Sequence, residues 1–98
     1  MRYDFDWDPR KANENLRKHH ISFERATTVF RDPRMISLFD EEHNETEDRW
    51  VTMGRDESLI LLVISHTFRE VSSTCWKIRI ISARKATAKE RRQYEENA

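Results

Sequence analysis

The fold is set by an alternating stretch near the carboxyl end of the chain, Trp76-Lys77-Ile78-Arg79-Ile80. Successive side chains of a strand point to opposite faces of a sheet, so the apolar residues face a core and the two cations face outward. Downstream, Thr87-Ala88-Lys89-Glu90 has the form of a capping box. In this motif the side chains of the first and last residues each accept a hydrogen bond from the other residue's backbone N–H. These features predict a strand followed by a helix over residues 88–96.

Three further strands are predicted upstream of this stretch, over residues 35–39, 49–53 and 59–64. The last of them is apolar throughout, which is typical of a strand buried on both faces of a sheet. Residues 54–57 are predicted to form a turn, and residues 66–73 a polar connection. Together with the alternating stretch, these strands predict a four-stranded antiparallel meander.

A short strand and a first helix are predicted at the amino-terminal end. Phe5-Asp6-Trp7 alternates like a strand, and Asp8 with Pro9 marks the start of a helix over residues 9–19. Helical spacing gives this helix an inward stripe of Ala12, Leu16 and His19 or His20.

A second helix is predicted over residues 23–30. Ser22 caps it and Asp32-Pro33 ends it, because the residue before a proline avoids helical backbone. The order of short strand, two helices, meander and final helix predicts an α+β domain. A chain of 98 residues has room for a single domain, which covers residues 1–98.

Composition limits both the core and the compartment. Hydrophobic and charged residues each make up 37% of the chain, so the core is modest and a protein partner is expected to add stability. The single cysteine, Cys75, forms no intrachain disulfide, which fits a reducing compartment. The sequence shows no apolar run of membrane-spanning length and no signal segment, so we expect a cytoplasmic protein without membrane contact.

The net charge of zero conceals a polarised distribution. Residues 10–34 carry a balance of +4 and residues 77–92 a balance of +6, whereas the acidic residues between 40 and 48 contribute −6. A basic patch of this kind is typical of phosphate binding, although a run of charge is also typical of a solvated surface.

Motifs for metal or nucleotide chemistry are missing from the sequence. The four histidines lack the spacing of a metal site, and there is no glycine-rich phosphate loop or nucleophile elbow. We therefore expect no metal and no cofactor.

The basic segment over residues 77–87 is the strongest candidate for chemistry. Metal-free RNA cleavage needs little more than such a segment, because the ribose 2′-hydroxyl attacks the adjacent phosphorus while cations stabilise charge on the phosphoryl oxygens. The alternative is a solvated surface strand. The candidate cations for phosphate contact are Lys77, Arg79, Arg84 and Lys85.

General acid and base groups would speed the proton transfers of this reaction, each by about 10²–10⁴-fold. Candidates are His19, Glu90 and Tyr94, the last two of which share one face of the final helix. Each also has a structural interpretation, since His19 completes the first helix's stripe, Glu90 completes the capping box, and Tyr94 docks an otherwise polar helix. The residues alone leave these alternatives open.

Several stretches, in order along the chain, resemble the BrnT family of type II toxins, which are RelE-like ribonucleases. The matching stretches are FDWDPRK at 5–11, NLRKH at 15–19, ISFERA at 21–26, VFRDP at 29–33 and RIISARKAT at 79–87, followed by Glu90, Arg91 and Tyr94. One residue departs from the family pattern. His20 stands where the family usually has a glycine that stops the first helix in a left-handed conformation, so His20 must take that geometry or move the stop.

The resemblance implies a compact RelE-like fold and RNA cleavage that inhibits translation, with RNA or the ribosome as the target. It also implies a cognate DNA-binding antitoxin in a heterotetramer or larger complex, with DNA contacted only through the antitoxin. The residues implied for the site are Arg49, Arg79, Arg84, Glu90, Arg91, Tyr94 and His19. A second hypothesis is a non-catalytic module that binds a DNA-reading partner and acts with it as a corepressor.

Overall fold

The structure, a computed structural model, describes residues 2–43 and 48–97, so residues 44–47 of the acidic segment over residues 40–48 lie outside the described residues. Its elements in chain order are β1 (Arg2–Trp7), α1 (Pro9–His19), α2 (Phe23–Thr27), a first 3₁₀ turn (Thr28–Arg31), β2 (Ile36–Phe39), a second 3₁₀ turn (Glu41–His43), β3 (Arg49–Arg55), β4 (Leu61–Thr67), β5 (Arg69–Ser72), β6 (Cys75–Lys85) and α3 (Ala88–Glu96). Among the described residues, we find no helix with the length and apolar character needed to span a bilayer.

The strands form one mixed sheet in the order β1-β6-β4-β3-β2. Strands β2, β3, β4 and β6 are antiparallel neighbours, as in the predicted meander, whereas β1 pairs with β6 in parallel. The long connection between β1 and β6 allows this parallel pairing, because the chain can return in the same direction. The α+β class is confirmed, but the sheet is larger than predicted because β1 and β5 join it.

The predicted polar connection over residues 66–73 is wrong. Strand β4 runs on to Thr67, and after a break at Phe68 the chain forms β5, which pairs with the first part of β6. The four residues of β5 are all exposed. The polar character of this segment therefore reflects the exposure of β5 to solvent and does not indicate a loop.

The turn between β3 and β4 begins two residues later than predicted. Gly54 and Arg55 belong to β3, and a Cβ at Gly54 would lie only 2.9 Å from Cγ1 of Val29 in the first 3₁₀ turn. Glycine is required by this close approach. Leu59 lies in the turn in a left-handed conformation (φ 66°) and is exposed, so the buried strand starts later than residue 59.

Alternation along the strands gives the sheet two different faces. The inner face packs against α1, α2 and the first 3₁₀ turn. Its buried cluster consists of Ile21, Phe23, Ala26, Val29, Phe30, Leu62, Ile64, Ile78, Ile80 and Ala83. The outer face carries a smaller buried cluster of Met53, Leu61, Val63 and Tyr94, which lies under α3.

Helix α1 has the predicted bounds but a different inward residue. Asn15 is buried, and its side chain donates to the carbonyls of Ile21 and Ala83 and accepts from the N–H of Ala83. Strand β1 pairs with β6 only as far as Ile80, so the backbone of Ala83 needs a polar partner on that edge. Leu16 is 49% exposed, and the predicted apolar stripe is wrong at this position.

His20 ends α1 in the left-handed conformation, with φ 60° and ψ 30°. Its N–H donates to the carbonyl of Leu16, as in a glycine-type helix stop. The helix end has therefore not moved, and His19 keeps the last helical position. The cost is a strained backbone at His20, since a Cβ disfavours this region.

The second helix is shorter than predicted. Ser22 caps it as expected, accepting the N–H of Arg25, but the α-helix ends at Thr27 and continues as a 3₁₀ turn to Arg31. The next residue, Asp32, has extended backbone, as expected before a proline.

Helix α3 is docked through one aromatic side chain. Tyr94 is 2% exposed, and its hydroxyl donates to Oδ2 of Asp32 while the guanidinium of Arg55 lies 5.3 Å from the ring centre. Burial and the hydrogen bond to Asp32 raise the pKa of Tyr94. This contact explains how a helix with a polar surface stays on the sheet.

A hydrogen-bonded chain of polar side chains crosses the inner face. Nδ1 of His66 lies 2.8 Å from the carbonyl oxygen of Thr67, Nε2 lies 2.6 Å from Oγ1 of Thr52, and that oxygen lies 2.7 Å from Oγ of Ser37. His66 is 2% exposed, and burial lowers its pKa to about 4. The ring is therefore neutral near pH 7, with its proton on Nδ1 because the carbonyl can only accept.

We expect the buried His66 to make the fold sensitive to acid. Its pKa is lower in the folded chain than in the unfolded chain, so its contribution to stability is complete above about pH 6.5 and is lost as the pH falls towards 4. The loss corresponds to about 3 kcal/mol of unfolding free energy. Urea unfolding at pH 7 and pH 4 measures it. The His66→Gln variant should lack this pH-dependent part of the unfolding free energy, and a His20→Gln control should retain it. An equal loss of unfolding free energy between pH 7 and pH 4 in the parent and both variants would contradict the interpretation.

The strained stop of α1 gives a second prediction. His20→Gly should stabilise the fold by about 0.5–1 kcal/mol, because glycine adopts the left-handed conformation without steric cost. His19→Gly is the matched control and should destabilise by about 1 kcal/mol, since it places glycine inside a helix. Chemical denaturation of both variants tests the difference, and a His20→Gly protein less stable than its parent would show that the imidazole makes a stabilising contact.

Candidate active site

The register of the sheet places several predicted cations on its outer face. Lys77 and Arg79 leave β6 on the side opposite to the buried Ile78. Arg84 is on the same side despite a shift in the pairing of β4 and β6, because it pairs with Val63 of the outer cluster. The predicted outward direction of Lys77 and Arg79 is confirmed.

Two arginines from other strands extend this surface. Arg49 pairs with Thr67, and Arg69 pairs with Lys77. Residues paired directly across neighbouring strands project from the same face of the sheet. Arg49, a predicted RNA-binding residue, therefore starts on the outer face next to Thr67, and Arg69 joins Lys77 although the sequence did not single it out.

A groove of 390 Å³ opens between these strands on the outer face. Three of its lining residues are cations and two are carboxylates. We call it the cationic groove, and its walls are Asp6, Asp48, Thr67, Phe68, Arg69, Lys77 and Arg79.

Asp6 lies between the two cations that β6 contributes to the groove. Its Oδ2 is 3.5 Å from Nζ of Lys77, and its Oδ1 is 3.7 Å from Nη1 of Arg79. Both distances exceed that of a normal hydrogen bond, so the two cations keep N–H donors for another anion. Oδ1 is buried without a hydrogen-bond donor in the described part of the chain, whereas the side chain as a whole is 38% exposed.

Asp6 is a residue of the groove that the sequence patterns did not indicate. The alternation of Phe5, Asp6 and Trp7 does indicate that Asp6 points away from the core. Its neighbour, however, is fixed by the parallel pairing of Asp6 with Arg79, and no local pattern predicts which strand β1 joins. The family-like stretch at residues 5–11 was the available signal.

Arg84 is engaged by Glu90 rather than free in the groove. Its two terminal nitrogens donate to the two carboxylate oxygens of Glu90 at 2.8 and 2.9 Å, and Oε1 of Glu90 also accepts the N–H of Thr87. These hydrogen bonds, first that from Arg84, lower the pKa of Glu90 to about 2. The carboxylate is therefore charged near pH 7 and closes both the ion pair and the capping box.

The remaining predicted residues are not brought to the cationic groove. The Tyr94 hydroxyl is bonded to Asp32. His19 lies at the end of α1, and Arg91 is exposed on α3. Lys85 pairs with Leu62 of the inner cluster, so it leaves β6 on the face opposite to Arg84. The catalytic roles predicted for His19, Glu90 and Tyr94 stay predictions.

Comparison with known proteins now assigns the chain to a family. The family described as "Ribonuclease toxin, BrnT, of type II toxin-antitoxin system" matches residues 7–90, which is most of the chain. The chain belongs to the BrnT ribonuclease toxin family. The match includes β6, the capping box of α3 and almost all of the stretches that resemble BrnT. Only Phe5 and Asp6 at their start and Arg91 and Tyr94 at their end lie outside it. The predicted BrnT resemblance is confirmed.

A solved structure supports the same fold for this BrnT chain. The crystal structure of the Brucella abortus ribonuclease toxin BrnT matches with a TM-score of 0.59 and 21% sequence identity, covering 89% of this chain and 97% of that chain. At this identity, the likeness concerns the fold alone. No curated protein matches the chain.

The contacts of Glu90 in this BrnT chain predict a structural effect of its replacement. Glu90→Gln should lower the unfolding free energy by about 1–2 kcal/mol, because it weakens the ion pair with Arg84 and the capping box. Glu95→Gln, at an exposed position of the same helix, is the control and should change stability little.

Activity measured on the same two variants separates the two interpretations of Glu90. A structural residue leaves ribonuclease activity per folded molecule close to that of the parent. A loss of about 10²-fold or more in folded Glu90→Gln protein would instead identify Glu90 as a proton carrier.

Proposed function

We propose that this chain cleaves RNA in the cationic groove without a metal ion, and that this cleavage inhibits translation. The observation that carries the proposal is that Lys77 and Arg79 lie beside the carboxylate of Asp6 in an open groove that Arg69 also lines. Membership of a ribonuclease toxin family supports an RNA substrate. We also propose that the fold is RelE-like and that the protein acts in the cytoplasm.

The geometry supports transesterification by the RNA's own 2′-hydroxyl. The 2′-oxygen loses its proton and attacks the adjacent phosphorus, the bond from phosphorus to the 5′-oxygen breaks, and the 5′-oxygen takes up a proton from water. The products carry a 2′,3′-cyclic phosphate and a 5′-hydroxyl. Arg79 and Lys77 are placed to stabilise the charge that develops on the phosphoryl oxygens, since their ion pairs with Asp6 are long. We propose Asp6, which lines the groove beside Arg79, as the carboxylate that accepts the 2′-hydroxyl proton.

Arg84 and Glu90 have a supporting role in this proposal. Arg84 lies on the same face of β6 as Arg79, but its guanidinium is held by Glu90 and thereby joins β6 to α3. We propose that it adds positive potential near the groove and that Arg49 and Arg91 contact the RNA backbone further away. Lys85 leaves β6 on the other face of the sheet and therefore does not lie near the groove.

We further propose a cognate antitoxin that binds DNA, with a heterotetramer or larger complex in which DNA is contacted only through the antitoxin. The toxin–antitoxin description of the family supports a protein partner. So does the edge strand β2, where Leu38 is 65% and Phe39 37% exposed. The competing function is a non-catalytic corepressor subunit, which would need the partner but not the groove.

Replacement of Arg79 tests the proposed catalysis directly. Arg79→Gln should lower the rate of RNA cleavage by about 10²-fold or more, because it removes a donor to the developing charge. Arg17→Gln, on an exposed position of α1, is the matched control and should cleave normally. The assay uses purified protein freed of antitoxin, with EDTA present, with and without ribosomes.

The outcomes distinguish the two candidate functions. Cleavage in EDTA with 2′,3′-cyclic ends, lost in Arg79→Gln while the antitoxin complex still forms, supports the proposal. Products with 3′-hydroxyl ends would contradict the mechanism. Intact RNA under every condition, together with a complex that depends on Arg79, would support the corepressor.

A further inference from the structure

A second open cavity lies on the inner face, at the end of the sheet that α1 and α2 leave uncovered. Its volume is 370 Å³, and aromatic rings form most of its walls. We call it the aromatic pocket. The residues that matter for its chemistry are Tyr3, Ser37, Trp50, Phe68 and Trp76.

The rings of the aromatic pocket are held in place by one another. Phe68 stacks on Trp76 with ring centres 4.3 Å apart and an angle of 8° between the planes. Phe39 stacks on Trp50 at 5.4 Å and 17°, and Trp50 meets Phe68 edge to face at 6.3 Å. Flat, preorganised ring faces of this kind are suited to stacking against an unpaired base.

The aromatic pocket adjoins the cationic groove. Phe68 and Asp48 line both cavities, and Phe68 lies at the break between β4 and β5. Asp48 repels a phosphate at this boundary, which favours the backbone of a bound strand on the side of Lys77 and Arg79. The shared residues Phe68 and Asp48 therefore mark the side from which a neighbouring base would enter the aromatic pocket.

The hydrogen-bonded chain that begins at His66 fixes the polarity of the pocket wall. Since Nε2 of His66 is an acceptor, the hydroxyl of Thr52 must donate to it. Thr52 has one hydroxyl proton, so its oxygen accepts from the hydroxyl of Ser37. The oxygen of Ser37, an exposed residue on the pocket wall, therefore presents an acceptor to a ligand.

We propose that the aromatic pocket binds one unpaired nucleobase of the RNA in the groove, and that Ser37 selects a base with an exocyclic amino group. Adenine, cytosine and guanine carry such a group, whereas uracil lacks it and can offer this acceptor only its ring N3–H. The aromatic pocket would thus set the base preference next to the cleaved bond. This inference rests on the proposed ribonuclease function and adds a specificity site on the opposite face of the sheet.

The shape and chemistry favour a base over a protein side chain as the occupant. Single-stranded RNA is typically recognised by aromatic stacking together with hydrogen bonds to base edges, next to a cationic path for the backbone. The described residues combine these three features within two adjoining cavities. An apolar side chain of an antitoxin would make no use of the acceptor at Ser37.

Binding of modified oligonucleotides tests the proposal. The probe is a hexamer of 2′-O-methyl adenosine, which cannot supply the attacking hydroxyl, in versions with one abasic position each. One position should matter most, with its abasic form binding about tenfold more weakly. Trp50→Leu should abolish this positional difference, whereas Arg17→Gln should retain it. Uniform affinities along the hexamer would overturn the proposal.

The amino-group preference is tested at the same position with purine riboside, which differs from adenosine only by lacking that group. The parent should bind the purine hexamer about fivefold more weakly, and Ser37→Ala should bind both equally. An unchanged preference in folded Ser37→Ala protein would overturn the role of Ser37. Adenosine monophosphate binding as tightly as the hexamer would assign the pocket to a free nucleotide instead.

The same proteins separate failure of this inference from failure of the proposed function. If RNA is cleaved but the aromatic-pocket variants bind every hexamer like the parent, the function stands and the base site is wrong. If those variants lose only the antitoxin, the pocket belongs to a protein partner and the base site is again wrong. If the parent neither binds nor cleaves RNA, both proposals fall.

Discussion

The parallel pairing of β1 with β6 fixes both the inner core and the groove on the outer face. It aligns Asp6 with Arg79 and, in the same register, Phe5 with Ile78. One pairing therefore completes the inner core and supplies the outer face with the carboxylate that lies near both Lys77 and Arg79. A slip by one residue would exchange the two faces of β1, burying Asp6 and exposing the aromatic rings.

The helices cover one end of the sheet and leave cavities open at the other end. On the outer face, α3 covers one end through Tyr94, and the other end stays open as the cationic groove. On the inner face, α1 and α2 cover the core and leave the aromatic pocket at its margin. Cations and stacked rings thus meet around Phe68, at the break between β4 and β5.

The sequence patterns correctly predicted the features that depend on residues close together in the chain. The caps at Asp8, Ser22 and Thr87, the helix bounds of α1 and α3, and the outward direction of Lys77 and Arg79 all follow from neighbouring residues. The partner of β1, the burial of Asn15 and the pairing of β5 depend on residues far away in the chain, and alternation carries no information about them. For the same reason the sequence indicated the cations of the groove but not Asp6. It also could not show that Glu90 accepts two hydrogen bonds from Arg84 and holds it in an ion pair.

The proposed function depends on the binding of a phosphodiester on the outer face of β6, beside Asp6. Nuclear magnetic resonance of the arginine Nε–H groups during titration with a 2′-O-methyl dinucleotide tests this claim most directly. We expect the signals of Arg79 and Arg69 to shift first and that of Arg84 to change little, because Glu90 holds its guanidinium. Arg31, Arg34 and Arg55 line a separate cavity next to Tyr94. Shifts confined to these three arginines, with Arg79 unchanged, would show that the phosphodiester does not bind beside Asp6.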